Sequence, residues 1–112
     1  MNEFLSWCDE RTRDCMARRA SLNADGRGDE ASFMQIRANV YGIFRSVCIA
    51  MKGDLEQVAQ RLTSIPAAWE AALQEAELHG DMEKAHIEQI KLETAAAIRH
   101  YISNLQGATE YD

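Results

Sequence analysis

The chain has 112 residues, a net charge of −6 at pH 7 and a single proline, Pro66. This length suits one domain that buries its own core, and it is too short for two independent domains. No segment approaches the roughly 18 consecutive apolar residues that a membrane helix needs, and residues 1–14 lack the basic start and apolar run of an export signal. We therefore expect a cytoplasmic protein that does not cross a membrane.

The negative charge is concentrated in the second half of the chain. Residues 1–52 carry eight Lys or Arg and seven Asp or Glu, whereas residues 53–112 carry four and eleven. An acidic surface of this kind repels the phosphates of nucleic acids and anionic lipids. The composition thus predicts an acidic protein with neither nucleic acid nor membrane as a partner.

The cysteines are Cys8, Cys15 and Cys48. An odd number without CxxC spacing argues against a disulfide framework and against a tetrahedral zinc site. Cys8 and Cys15 are seven residues apart, which places them on one helical face, and free cysteine is among the most frequently buried residue types. We expect all three thiols to be reduced, and Cys8 and Cys15 to be small buried apolar groups.

Helix one is predicted over residues 2–23. Residues at alternating spacings of three and four mark its inner face, namely Leu5, Cys8, Thr12, Cys15, Arg19 and Leu22. The arginines of this helix alternate with Asp9, Glu10 and Asp14, so they do not form the unopposed basic patch of a nucleic-acid-binding helix.

Helix two is predicted over residues 30–52 and is the most apolar segment. Its broad apolar stripe contains Phe33, Ile36, Val40, Ile43, Phe44, Val47 and Met51. We expect it to be the central helix of the fold. Ile49 falls within its narrow polar arc, either as an ordinary exposed residue or as part of a second contact surface.

The third element is predicted to contain a kink. Gly53 and Asp54 indicate a helix end followed by an N-cap, with Gln57 completing a capping box. Apolar residues then recur at helical spacing on both sides of Pro66. Proline has no amide hydrogen and disfavours the α conformation of the preceding residue, Ile65. We therefore expect two short helices that meet at Pro66.

The last helix is predicted over residues 82–106, after a stop at Gly80 and a cap at Asp81. Its core face contains Ile87, Ile90, Thr94, Ala97, Ile98, Tyr101 and Leu105. Leu92, Ala85 and Ala96 fall on the opposite face, which suits contact with a second copy or a partner helix. We expect self-association through the face that contains Leu92 and Ala96.

Short connections and the absence of strand patterns favour an all-α fold. The most economical architecture is an antiparallel up-down-up-down helical bundle whose third element is two short helices kinked at Pro66. Residues 1–107 are predicted to form this single domain, and residues 108–112 a polar C-terminal tail.

The connection within residues 22–33 contains the tripeptide Arg27-Gly28-Asp29. It lacks the alternating oxygen ligands and closing glutamate of a calcium loop, and it follows a helix rather than the strand of a phosphate-binding loop. An adhesion role would require an extracellular protein. We expect a helix corner instead, where Gly26 adopts a positive φ and Asp29 caps helix two.

A metal site is the alternative that the start of the last helix offers. Glu83 and His86 have the i, i+3 spacing that presents a carboxylate and an imidazole on one face, and His79 and Glu75 are additional ligands nearby in sequence. A di-iron bundle uses two such pairs and two further glutamates, whereas this chain has one pair. The other interpretation is a solvated helix start at which Glu83 favours the positive end of the helix dipole.

An ion pair is also expected at this end of the bundle. The spacing of helix one directs Arg19 towards the core, although arginine is rarely buried without a partner. In the up-down topology Glu83 lies beside it, so we expect Arg19 to pair with Glu83. The Glu83 carboxylate would then be engaged by Arg19 and would no longer serve as a metal ligand.

No pattern supports a nucleophile, because the serines lie outside strained turns and no cysteine lies at a helix N-terminus. We therefore expect no catalytic residue and no cofactor. The leading interpretation is a non-enzymatic helical bundle that acts through protein–protein contact, as a homo-oligomer or an accessory subunit. The alternative is a small metal-binding or enzymatic bundle that uses Glu83, His86 and His79. Stoichiometric zinc or iron in the purified protein would favour that alternative.

Overall fold

The computed structural model describes the backbone of residues 2–110 and the side chains of residues 2–107. Over that range the chain forms four α-helices and no strand: α1 (Asn2–Ala24), α2 (Gly28–Ala50), α3 (Leu55–Leu78) and α4 (Met82–Glu110). The prediction of an all-helical fold is confirmed. None of these helices, over its described residues, has an apolar stretch sufficient to cross a bilayer.

The last helix extends further than predicted. Its backbone stays helical to Glu110, so the predicted tail of residues 108–112 begins inside α4. Residues 111–112 lie outside the described residues. A terminal helix can lengthen in this way because helical propensity persists where no proline interrupts it.

The connections between the described helices are short, and each contains a glycine in the left-handed region. Gly26, Gly53 and Gly80 have φ values of +75°, +80° and +71°. Residues with a Cβ adopt this conformation at an energetic cost, so glycine is the usual residue where a helix must end sharply. The predicted positive φ of Gly26 and the predicted helix stops at Gly53 and Gly80 are confirmed.

Aspartates cap α3 and α4, as the sequence indicates. Oδ1 of Asp54 accepts hydrogen bonds from the amides of Glu56 and Gln57 at 3.1 and 3.3 Å. Oδ1 of Asp81 accepts from the amide of Lys84 at 3.1 Å. The Gln57 side chain donates to Oδ2 of Asp54 at 3.1 Å rather than reaching the backbone. Each cap stabilises its helix by about 1 kcal/mol.

The start of α2 differs from the prediction. The helix begins at Gly28, and Arg27 is its N-cap residue without a side-chain capping bond. The predicted capping role of Asp29 is therefore wrong. Because the helix starts earlier, Asp29 lies in the first turn, where a carboxylate interacts favourably with the helix dipole. Arg27 instead pairs with Glu30, with Nη2 and Oε1 separated by 2.7 Å.

α2 is the central helix, as predicted, since it packs against each of the other three. Its residues Val40, Phe44 and Cys48 are at most 2% exposed. The core cluster comprises Phe4, Cys8, Val40, Tyr41, Phe44, Cys48, Val58, Leu62, Ala95, Ile98 and Ile102. All four helices thus contribute to one core.

Three residues lie on the opposite side of the core boundary from their prediction. Ala97, assigned to the core face of α4, is exposed. Ile43, assigned to the apolar stripe of α2, is 38% exposed. Ala85, assigned to the outer face of α4, is 7% exposed. α4 contacts both α2 and α3, so its buried arc is wider than one stripe and includes Glu88 and Ala95.

Aromatic rings from α1, α2 and α4 meet near the start of α1. Trp7 stacks on Tyr101 with ring centroids 4.2 Å apart and an interplanar angle of 5°. Tyr41 approaches Trp7 edge-on at 5.5 Å, and Phe4 lies 6.3 Å from Tyr101. Stacked and edge-on pairs are the favoured geometries of aromatic rings, so this cluster fixes the N-terminal end of α1 against α4.

Pro66 lies inside α3, which is assigned as one helix from Leu55 to Leu78. The predicted division into two helices is not seen. Pro66 has no amide hydrogen for the carbonyl of Leu62, four residues earlier. Nη2 of Arg99, on α4, donates to that carbonyl oxygen at 2.8 Å. Arg99 therefore occupies the hydrogen-bonding position that the proline leaves open, and it joins α4 to the middle of α3.

We expect Arg99→Met to lower the free energy of unfolding by about 1–2 kcal/mol, because the carbonyl of Leu62 loses its donor. In a Pro66→Ala background, residue 66 supplies an amide to the same oxygen. The same Arg99 substitution should then cost clearly less. Urea unfolding of the wild type, the two single variants and the double variant measures this difference.

The matched control is Arg61→Met, which removes an exposed arginine from α3. Its effect should stay within about 0.5 kcal/mol. Equal costs of Arg99→Met in the wild-type and Pro66→Ala backgrounds would contradict the link between the proline and the arginine.

Candidate functional site

A groove lies between the first turns of α2 and α4. It has a volume of about 590 Å³, and its lining residues are Asp29, Ser32, Phe33, Ile36, Met82, Glu83, His86 and Ile87. We call it the α2/α4 groove. Its α2 wall runs from Asp29 to Ile36, which corresponds to about 10 Å along the helix axis. The groove thus presents about two helical turns of mixed apolar and acidic surface.

The floor of this groove is shaped by a ring contact between the two helices. The rings of Phe33 and His86 lie 4.4 Å apart between centroids, tilted by 49°. Phe33 is only half-buried, although its position in the apolar stripe predicted a core residue. The apolar face of α2 therefore continues past the end of the core and into the groove.

A second groove lies on the α3 side of the same part of α4. Its volume is also about 590 Å³, and it is lined by Leu73, Glu77, Met82, Ala85, His86 and Gln89. We call it the α3/α4 groove. Met82 and His86 line both grooves and form the ridge between them. The two grooves together form one continuous surface, which we call the double groove.

The most exposed large apolar side chains described are at this end of the molecule. Leu78 is 84% exposed and Met82 is 75% exposed, whereas Ile49 is 50% exposed. Leu78 and Met82 lie on either side of the connection at Gly80. Helical periodicity does not distinguish these two residues, although apolar residues that flank a helix connection on both sides are a signal visible in the sequence. Exposed apolar residues grouped near a groove mark contact surfaces more often than isolated ones do.

The polar groups of the double groove are predominantly acidic. The carboxylates of Asp29 and Glu83 line the α2/α4 groove, and that of Glu77 lines the α3/α4 groove. Among the described residues, no lysine or arginine lines either groove. The double groove therefore has a negative potential around an apolar strip.

Arg27 and Lys84 are the cationic residues nearest in sequence to the groove carboxylates. Arg27 is paired with Glu30, and this hydrogen-bonded pair lowers the pKa of the Glu30 carboxyl. Lys84 lies with Glu75, His79 and Asp81 in a separate surface depression. Neither cation lines the double groove.

The three candidate metal ligands do not come together. Glu83 and His86 line the α2/α4 groove, whereas His79 lies in the separate depression with Glu75. Nδ1 of His79 is 2.8 Å from the backbone oxygen of Glu75. In the part of the chain that the structure describes, no group of three or more His, Cys, Asp or Glu side chains is arranged to hold a metal ion.

The ion pair predicted between Arg19 and Glu83 is not formed. The ion pairs of the described residues include neither side chain. Glu83 lies at the start of α4, where the neighbouring helix is α2 rather than α1. α1 approaches α4 at the other end of the molecule, through the stacking of Trp7 on Tyr101. The spacing in the sequence assigned Arg19 to the inner face of helix one. It could not show which helix lies opposite that face.

The outer face of α4 offers less apolar surface than predicted. Leu92 is half-buried, Ala85 is buried, and only Ala96 is exposed among the three residues of that face. The self-association predicted through Leu92 and Ala96 would therefore bury little additional apolar area.

A buried carboxylate on α4 lies outside both grooves. The Glu88 residue is 6% exposed, and its Oε1 accepts from Nζ of Lys91 at 3.2 Å, while Oε2 has no partner in the described residues. Nζ of Lys91 also lies 5.8 Å from the ring centroid of Trp69 on α3. Lys91 therefore contacts both Glu88 on its own helix and Trp69 on α3.

The cysteines are not arranged as nucleophiles. Burial, with smaller contributions from the nearby Cys48 and Asp9, raises the pKa of the Cys8 thiol from its ordinary 9.0 to about 12. Burial also raises the pKa values of Cys15 and Cys48. A nucleophilic cysteine requires a lowered pKa, which favours the thiolate. These thiols are protonated at neutral pH and serve as small packing groups.

Comparisons of the chain with protein-family models, with curated proteins and with solved structures found no match. The candidate site therefore depends on its own geometry, namely an apolar strip, three carboxylates and a histidine ridge between two grooves.

We expect folding stability to fall as the pH rises from 9 towards 12. Below pH 9 the Cys8 thiol is protonated in both the folded and the unfolded chain. Above it, the unfolded chain ionises first, which favours unfolding until the folded thiol also ionises. Urea midpoints measured across this pH range test the dependence.

The Cys8→Ala variant should be less stable at neutral pH, because it leaves a cavity. Its stability should nevertheless decline less steeply with rising pH than that of the wild type. Cys15→Ala, which retains the Cys8 thiol, is the control and should keep most of the steep decline. Parallel declines in the wild type and Cys8→Ala would contradict the assignment.

Proposed function

We propose that the protein is a non-enzymatic helical bundle that acts through protein–protein contact, and that the double groove is its contact surface. The observation that carries this proposal is the exposure of two apolar side chains: Met82, 75% exposed, lines both grooves, and Leu78, 84% exposed, follows Glu77 of the α3/α4 groove. Covering either side chain fully would contribute on the order of 1.5–3 kcal/mol to binding. An accessory subunit gains affinity from such a patch.

The architecture that we propose for this function is the antiparallel up-down-up-down bundle. Two contacts between helices support it. Asp9 near the start of α1 pairs with Arg45 near the end of α2 at 2.8 Å, and Phe33 near the start of α2 contacts His86 near the start of α4. We also infer that α3 bends at Pro66, because a proline ring crowds the preceding turn of a helix.

We place this function in the cytoplasm and outside nucleic-acid binding. The reduced, buried thiols of Cys8 and Cys48 suit a reducing compartment. The carboxylates of the double groove disfavour phosphate-rich partners, whether nucleic acids or anionic membranes. A protein surface is the partner class that suits an apolar strip with a polar rim.

The experiment is to size the native assembly that contains this chain in an extract of its native cells. The wild type should migrate in a complex larger than the monomer. The double variant Leu78→Gln/Met82→Gln should migrate as the monomer, because it loses the exposed apolar anchors. Circular dichroism checks that the variant keeps its helices.

The matched control is Ile43→Gln/Ile49→Gln, which removes two exposed apolar residues from α2 outside the double groove. This control should remain in the complex. A wild-type chain that migrates as a free monomer, or a control variant that is released as fully as the groove variant, would contradict the proposed contact surface.

A further inference from the structure

We propose that the partner of the double groove is a cationic amphipathic helix. This inference rests on the proposed function, since it specifies the chemistry of the partner that the same surface binds. Three features of the surface carry it: the shape of the grooves, the apolar strip along them, and the sign of the charge at their rims.

The shape of the surface suits a helix. The walls of the α2/α4 groove are helical residues at i, i+3 and i+4 spacings, as in Phe33 and Ile36 on α2 and Met82 and His86 on α4. Grooves between packed helices bind a further helix through residues at i, i+3, i+4 and i+7. An extended peptide would instead add to a sheet edge, and the described residues contain no strand.

The charges determine which amphipathic helix fits. Asp29, Glu83 and Glu77 line the grooves, and no described lysine or arginine lines them. Lys84, the nearest lysine in sequence, lies in the separate depression with Glu75 and Asp81. Lysine or arginine residues flanking the apolar face of a partner helix would meet these carboxylates. Such complementarity determines specificity and the association rate.

The same charges disfavour a second copy of this chain. In a symmetric dimer the same patch faces itself, so Asp29 and Glu83 of one copy would approach the same carboxylates of the other. Like charges opposed across an interface suppress association. The chain as a whole also carries a net charge of −6.

The test uses the purified full chain and a fluorescent leucine/lysine peptide of about five helical turns, with leucines at i, i+3, i+4 and i+7. Two comparison peptides are an amphipathic leucine/glutamate peptide of the same pattern and a scrambled leucine/lysine peptide without an apolar face. Fluorescence anisotropy should show that the amphipathic leucine/lysine peptide binds on the order of tenfold more tightly than either. Equal binding of either comparison peptide would overturn the inference.

Variants localise the binding. Met82→Glu should raise the Kd of the amphipathic leucine/lysine peptide on the order of tenfold, whereas Ile49→Glu should leave this Kd unchanged. The triple variant Asp29→Asn/Glu77→Gln/Glu83→Gln should also bind it more weakly, with a smaller dependence on salt. Equal effects of Met82→Glu and Ile49→Glu, or an unchanged salt dependence in the triple variant, would overturn the inference.

Light scattering of the purified chain separates this inference from the proposed function. A monomer in the absence of peptide is the expected result. A dimer that Met82→Glu dissociates would identify a second copy as the occupant, which overturns the cationic-helix inference and leaves the double groove as a contact surface. Release of the control variant in the native-extract experiment overturns the proposed function itself.

Discussion

The packing of α2 among the other three helices is the constraint on which the rest of the structure depends. α2 has apolar residues on a broad arc and contacts α1, α3 and α4, so most of that arc is covered. Over its first two turns the coverage is incomplete, because Phe33 and Ile36 are half-buried there and line a groove shared with α4. The covered part of the apolar arc of α2 packs in the core and stabilises the bundle. The part at the start of α2 lines the exposed groove.

The neighbouring helices hold that surface in place. Gly80, with its positive φ, turns the chain between α3 and α4, and Asp81 caps the start of α4. Met82 and His86, in the first two turns of α4, line both grooves. Farther along α4, Arg99 bonds to the carbonyl that Pro66 leaves without an amide partner. These contacts anchor both ends of the α3–α4 packing to backbone groups, and the walls of the double groove are helical residues.

Much of the fold was readable from the sequence, whereas most of the site was not. Helical periodicity with glycine and aspartate signals located the helices, because caps and turns are local interactions. The predicted start of α2 was late, since Asp29 was treated as a cap although it lies in the first turn. The Arg19–Glu83 pair and the outer position of Ala85 were wrong because both depend on which helix lies opposite. Leu78 and Met82 flank the connection at Gly80 in the sequence, but only the packing shows that they are uncovered.

Amide hydrogen exchange on the native complex, compared with the isolated chain, tests the central claim most directly. We expect slower exchange in the complex at residues 28–37 and 73–90, which contain the walls of the double groove. α1 and the outer face of α4 around Ala96 should exchange equally in both samples. Protection confined to α1 or to the face around Ala96, with the double groove unchanged, would contradict the account.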